Sequence, residues 1–107
     1  MAEIAVDQVA EVIILARELD RAEAEFDAFV ARLNRDEQAE LVAIMWIGRG
    51  TFDPEEWDDA VRTAIEEATT PTEDYLKGSP HLADHLESGL EALGWSAADE
   101  ENELFRP

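Results

Sequence analysis

The chain has 107 residues, of which 46% are apolar and 33% charged, and it contains no cysteine. A chain of this length forms one domain with a self-supporting core, and the lack of cysteine excludes disulfides, thiolate metal sites and cysteine nucleophiles. The net charge of −19 repels nucleic-acid phosphates and anionic membrane surfaces. We expect no direct nucleic-acid partner and no membrane partner. The acidity is accounted for first by solubility and a strongly solvated surface. A basic protein partner, a salt-adapted source and mimicry of nucleic acid are sharper interpretations without a specific signal in the sequence.

The N-terminal stretch MAEIAVDQVAEVIILAREL carries acidic residues where a signal peptide carries basic ones. Its longest apolar run, residues 12–16, is far shorter than the ~20 residues that a membrane helix needs. We therefore expect a cytoplasmic chain.

Residues 6–33 contain neither glycine nor proline, so they could form one helix or two. A single helix there would be ~42 Å long, which is longer than a small domain is wide. Its apolar stripe also rotates between Val9 and Phe26, and Asp20 with Glu23 resembles a capping pair. The pattern favours two helices with a joint near residues 20–25, and one long bent helix stays open.

The next segment predicts the centre of the fold. Asn34 is a candidate N-cap, and Glu37 three residues later completes a capping box. The helix that follows, at about residues 36–47, is apolar nearly all round from Leu41 to Ile47, which is typical of a helix buried by its neighbours. We expect Gly48 to end it.

Two further helix starts are predicted from capping residues of the same kind. Asp53 is a candidate N-cap with Pro54 at the first helical position, and Phe52 could pack as a staple on Trp57. Near the C-terminus, Ser79 and Pro80 predict another helix start.

In that last helix, Gly89 on the leucine face suggests a close helix crossing, and Gly94 is expected to end the helix. The sequence thus predicts an all-α, compact bundle of five or six helices around the central helix at 36–47. Residues 1–96 would form a single helical domain and residues 97–107 an acidic mobile tail.

Few residues suggest chemistry. His81 and His85 lie four apart on one helix with Asp84 between them, a spacing that puts both imidazoles on one face as in helical zinc sites. No third ligand is evident, and both histidines also fit a structural or solvent role. There is no catalytic set, nucleophile elbow, phosphate loop or dinucleotide fingerprint. The sequence therefore favours a protein that is not an enzyme and that needs no cofactor.

The most singular stretch is WIGRGTFDPEEW, residues 46–57, where Arg49 stands between two glycines in a very acidic chain. Arg49 could fold back on the helix carbonyls or form a fork with a carboxylate of the next helix. It could instead be held out for a partner or ligand, with Trp46, Phe52 and Trp57 beside it. Both interpretations are open at this point.

The run LNRDEQAELVAIMWIGRGTFDPEEWDDAV, followed by TPTEDYLKGSPHLADHLESGLEALGWS, resembles a family of small bacterial proteins called domain of unknown function 3775. The resemblance covers residues 4–96. Members of that family are often longer between the first helix and the stretch that matches FDAFVARLN. The resemblance implies a bacterial cytoplasmic helical domain, and it transfers no cofactor and no functional residue.

We expect a non-catalytic protein-interaction or regulatory module. One alternative is a metal-binding protein or enzyme built on His81, Asp84 and His85. Another is an acidic nucleic-acid mimic that binds a basic protein. Pairing of apolar helix faces into a homo-oligomer stays open.

Overall fold

The computed structural model describes residues 2–95, and within them the chain forms six α-helices, one 3-10 turn and no β-strand. The helices are α1 (Val6–Arg17), α2 (Leu19–Arg32), α3 (Arg35–Arg49), α4 (Trp57–Glu66), α5 (Thr72–Lys77) and α6 (Leu82–Leu93), with the 3-10 turn at Pro54–Glu56. The all-α bundle predicted from the sequence is confirmed. The tail predicted for residues 97–107 lies outside the described residues.

Helix α3 is the centre of the bundle and packs against α4, α5 and α6. Every residue from Ala39 to Ile47 is buried, as expected for a segment that is apolar nearly all round. Its N-terminus has the expected capping box. The Glu37 N–H donates to Asn34 Oδ1 at 2.8 Å, and the Asn34 N–H donates to Glu37 Oε1 at 2.9 Å.

The expected end of α3 at Gly48 is wrong, because the helix continues to Arg49 and Gly50 is the left-handed C-cap with φ 91°. Gly48 instead allows α6 to pack closely against α3. A Cβ on Gly48 would lie 1.7 Å from the His85 carbonyl oxygen of α6. A Cβ on Gly89 would lie 2.1 Å from the Ile44 carbonyl oxygen of α3, which confirms the close crossing expected there. The backbones of α3 and α6 are therefore in direct contact.

The glycine-free segment forms two helices, which excludes a single long one. The break falls at Glu18, and Ala22 is non-helical with φ −118°, so the joint spans residues 18–22 and lies slightly earlier than expected. Asp20 is therefore inside the second helix and does not cap it. The joint folds α1 back on α2, so that Val12 and Phe26 reach the same core.

The predicted start of α6 at Ser79 and Pro80 is also wrong. The helix begins at Leu82, and its N-cap is His81, which has a left-handed φ of 59°. The Ser79 N–H donates to the Leu76 carbonyl at 3.0 Å, so Ser79 belongs to the turn that ends α5. Gly94 ends α6 in a left-handed conformation, as expected.

A buried carboxylate fastens the segment before α1 to the central helix. Glu40 is 6% exposed, and its carboxylate accepts the N–H groups of Glu3 at 2.9 Å and Ile4 at 2.8 Å. Backbone donors thus satisfy a buried charge that would otherwise be costly. The Glu3 side chain forms a hydrogen bond with Asp36, and this contact together with repulsion by Asp36 raises the pKa of Glu3.

Lys77 joins α5 to α2. Its Nζ lies 2.8 Å from Glu23 Oε2 and 2.8 Å from Asp27 Oδ1. Hydrogen bonds to Asp27 and then Glu23 raise the pKa of Lys77 well above its usual value. Within residues 2–95 no helix is both long and apolar enough to cross a membrane.

The crossing of α3 and α6 predicts a strong effect of one added methyl group. We expect Gly89→Ala to destabilise the fold by about 2 kcal/mol or more, because a backbone carbonyl cannot move aside as a side chain can. Gly78→Ala is the matched control, since its Cβ would meet nothing closer than 3.5 Å. Urea unfolding followed by circular dichroism measures both. Equal midpoints for Gly89→Ala and wild type would contradict the contact.

The Lys77 bridge predicts a pH-dependent contribution to stability. Lys77→Met should lower the urea midpoint more than Arg62→Met, because the ion pair that Arg62 forms within the described residues is with Asp59 of its own helix. A raised lysine pKa stabilises the fold fully below the ordinary value of about 10.4 and ceases to do so as the pH rises through the raised value. The difference between wild type and Lys77→Met should therefore stay constant up to about pH 10 and shrink above it. A pH-independent difference would contradict the bridge.

Candidate partner-binding corner

We use the name corner for residues 48–52, where the chain leaves α3. The Gly50 N–H donates to the Ile47 carbonyl at 3.1 Å, and the Thr51 N–H donates to the Trp46 carbonyl at 2.9 Å. This pair of bonds with a left-handed glycine closes a helix end and satisfies its free carbonyls. The corner is therefore a fixed turn on the most deeply buried helix.

Arg49 is exposed at this helix end, where the dipole favours a cation. Its Nε donates to Thr51 Oγ1 at 3.0 Å. Among residues 2–95 no carboxylate lies within ion-pair distance of the Arg49 guanidinium, and no backbone carbonyl accepts from it. Neither structural role weighed for Arg49 from the sequence occurs in this part of the chain. The Thr51 bond instead orients the guanidinium and leaves its two terminal nitrogens as donors.

The aromatic residues near Arg49 are buried to different depths. Phe52 is half-buried and stacks on Trp46, with ring centroids 5.7 Å apart. Trp46 itself is only 7% exposed, and its Nε1 donates to the Tyr75 hydroxyl at 3.0 Å. Trp46 therefore supports the corner from inside, whereas Phe52 contributes to its surface.

Trp57 takes part in a second aromatic pair, edge-on to Trp95 with centroids 5.0 Å apart. Phe52 and Trp57, between which the sequence predicts a staple, each form an aromatic pair with another tryptophan. Sequence reasoning gave Trp95 no role, because it stands outside the last helical pattern. Trp57 is half-buried and holds the start of α4 in place.

The histidine pair lies on α6. The ring centroids of His81 and His85 are 6.3 Å apart, with His81 exposed and His85 half-buried. Asp84 lies 3.5 Å from the Arg17 guanidinium, which it shares with Glu87 at 2.9 Å. Over the described part of the chain, no three His, Asp or Glu side chains are grouped so that they could hold a metal ion. No observation favours the metal alternative.

A cleft between α3, α4 and α5 was missed by the sequence interpretation. It has a volume of about 150 Å³ and is lined by apolar side chains below and by polar ones at its mouth. The apolar wall includes Ala39, Val42, Ala64 and Ile65, and the mouth includes Arg35 and Tyr75. No local motif marks it, because its residues come from α3 and, further along the chain, from α4, α5 and residues 67–70 that connect them.

The hydrogen bond between Trp46 and Tyr75 predicts an energetic coupling between α3 and α5. Tyr75→Phe removes the acceptor of this part-buried hydrogen bond, which should cost about 0.5–1.5 kcal/mol of unfolding free energy. Trp46→Phe and the double variant complete a double-mutant cycle measured by urea unfolding. The loss in the double variant should be smaller than the sum of the two single losses. Additive losses would show that the bond contributes nothing.

A family model described as "Protein of unknown function (DUF3775)" matches residues 23–95, and the chain belongs to that family. The matched region runs from within α2 to Trp95, so it contains the corner, the cleft and the histidine pair, while α1 precedes it. No curated protein and no solved structure matches the chain.

Proposed function

We propose that this DUF3775 domain is a non-catalytic protein-interaction or regulatory module that presents the corner, residues 48–52, to a partner protein. The observation that carries the proposal is the state of Arg49. Its guanidinium is exposed, is oriented by Thr51 and is not neutralised by any carboxylate within the described residues. Arg21, Arg32 and Arg35 also lack a carboxylate partner among the described residues, so what distinguishes Arg49 is that Thr51 orients its guanidinium at the same fixed turn that carries Phe52.

Arginine and aromatic side chains are the residues that most often anchor interfaces. Here Phe52 lies three residues after Arg49 and stacks on the buried Trp46, so its position is fixed before a partner arrives. A fixed side chain loses little entropy on binding, which favours affinity. Arg49 and Phe52 would thus be the contact residues, and Trp46 and Trp57 would support them.

The chemistry of the corner suggests what the partner presents. Arg49 offers donors that match a carboxylate or exposed backbone carbonyls, and Phe52 offers an apolar ring face. The net charge of −19 attracts a partner whose surface is otherwise basic and speeds its encounter at low salt. Mimicry of nucleic acid is a separate proposal that would use the acidic faces, and no distance in the structure favours it.

A bacterial cytoplasmic setting belongs to this proposal, because the sequence has no cysteine and a reducing compartment suits it. Self-association through the corner would also use Arg49, with a carboxylate of a second copy as its acceptor. Size-exclusion chromatography coupled to light scattering distinguishes that case from a different partner.

The test compares three immobilised proteins in lysate of the source cell: wild type, Arg49→Ala and Arg21→Ala. Arg21 is a matched control, since it is an exposed arginine on α2 that is not part of the corner. Removing an anchoring arginine typically costs about 2 kcal/mol, which is a ~30-fold loss of affinity. We expect a partner that wild type and Arg21→Ala retain and Arg49→Ala loses.

All three proteins must first show the same urea midpoint, so that a loss of binding reports the surface and not the fold. Equal recovery of every captured protein by all three would refute the corner as a recognition site. Arg49 would then serve only to orient Thr51 at the end of α3.

A further inference from the structure

The cleft between α3, α4 and α5 is separate from the corner and has the features of a small-ligand site. Its volume of about 150 Å³ equals that of an engineered apolar cavity that admits benzene. Val42, Ala64 and Ile65 form part of its wall. An apolar group about as large as a benzene ring or a leucine side chain would therefore fill it.

Two polar side chains that line the cleft, Gln38 and Thr72, already form hydrogen bonds within the domain. Gln38 Nε2 donates to the Val30 carbonyl at 2.9 Å and to the Leu33 carbonyl at 3.2 Å. Gln38 Oε1 accepts from the Thr72 hydroxyl at 3.3 Å. An amide nitrogen has two protons, so the amide of Gln38 has no donor left for a ligand. Gln38 and Thr72 hold the wall between α3 and α5 in shape.

Other polar groups keep donors available. The Tyr75 hydroxyl accepts the indole N–H of Trp46, which leaves its own proton free to donate. Tyr75 is also one of the two large apolar side chains that are exposed among the described residues. Arg35 at the mouth is exposed, and within residues 2–95 no carboxylate lies within ion-pair distance of it. Two residues that line the cleft, Arg35 and Tyr75, therefore have a donor that the fold does not use, and one of them is a cation.

Charge further restricts the ligand. A guanidinium binds a carboxylate through two parallel hydrogen bonds, which favours an anion at Arg35. Glu67 also lines the cleft, and the chain as a whole has a charge of −19. Both repel a second negative charge, so a monoanion is favoured over a dicarboxylate or a phosphate.

We propose that this cleft binds a small monocarboxylic acid, with its apolar body against Val42, Ala64 and Ile65 and its carboxylate at Arg35 and Tyr75. The site does not depend on the function of the corner. In a regulatory module it would be the place where a metabolite changes the stability or the partner affinity of the domain. The bond from Trp46 to Tyr75 connects the cleft to the aromatic pair under the corner.

The test is a titration of the isotope-labelled full chain with benzoate, followed by nuclear magnetic resonance of the Trp46 indole N–H and the Val42 and Ala64 amides. Benzamide is the neutral probe of the same shape. We expect saturable shifts with benzoate, with a dissociation constant in the millimolar range or tighter, as is usual for a ligand with so few atoms. Benzamide should bind about tenfold more weakly, because it lacks the charge that pairs with Arg35.

Three variants locate the binding. Arg35→Gln should bind benzoate and benzamide alike, whereas Arg21→Gln, which makes the same change of charge outside the cleft, should keep the wild-type preference. Ala68→Trp places a large ring at an exposed position of the lining and should abolish binding of both probes. The unchanged resonances of residues remote from the cleft show in each case that the variant is folded.

Equal affinity of wild type for benzoate and benzamide would overturn the carboxylate assignment, even if Arg35→Gln did not fold. The absence of any saturable resonance shift in wild type with benzoate would overturn the small-ligand site. A side chain of a partner protein would then be the remaining candidate occupant of the cleft. Neither result would affect the test at Arg49, since Arg35→Gln is expected to retain the partner that Arg49→Ala loses.

Discussion

The arrangement of the bundle depends on the contact between the backbones of α3 and α6. Gly48 and Gly89 carry no Cβ, so the carbonyls of His85 and Ile44 occupy the space that side chains would fill. Helices that approach so closely exclude water from their contact and fix each other's position. Helix α6 covers one side of α3, and α4 and α5 cover others. The C-terminal end of α3 reaches the surface and closes there in a turn at Gly50. Both the corner and the cleft are built on this one helix.

The basic residues differ in whether they pair with a carboxylate of another helix. Arg17 and Lys77 each pair with carboxylates of another helix and so join α1 to α6 and α5 to α2. Arg35 and Arg49, at the two ends of α3, have no such partner within the described residues. Arg21 and Arg32 of α2 also lack such a partner among residues 2–95, so an unpaired arginine is not unusual in this chain. Arg35 and Arg49 differ from them by their surroundings, since Arg35 lines the cleft and Arg49 is oriented by Thr51 at the corner.

The sequence predicted those features that depend on neighbours along the chain. The capping box of Asn34 and Glu37, the burial of residues 41–47 and the end of α6 at Gly94 all follow from local rules. The sequence-based prediction was wrong where a residue contacts a segment that is far away along the chain. Gly48 looked like a helix end because glycine usually marks one, but α6 passes against it. The cleft could not be foreseen, since Arg35, Ala64 and Tyr75 meet only after three helices have packed. The exposure of Arg49 depended on which carboxylates came near it, which only the fold decides.

The buried carboxylate of Glu40 has a consequence for the segment that precedes α1. Segments outside the helices usually tolerate change, because few interior groups depend on them. Here the N–H groups of residues 3 and 4 donate hydrogen bonds to a carboxylate inside the bundle, and Ile4 is itself part of the core. Deleting this short segment would leave Glu40 without donors in an apolar setting and so disturb the middle of α3. Residues 3 and 4 therefore belong to the folded core of the domain although they precede its first helix, and any change in this segment has to keep their hydrogen bonds to Glu40.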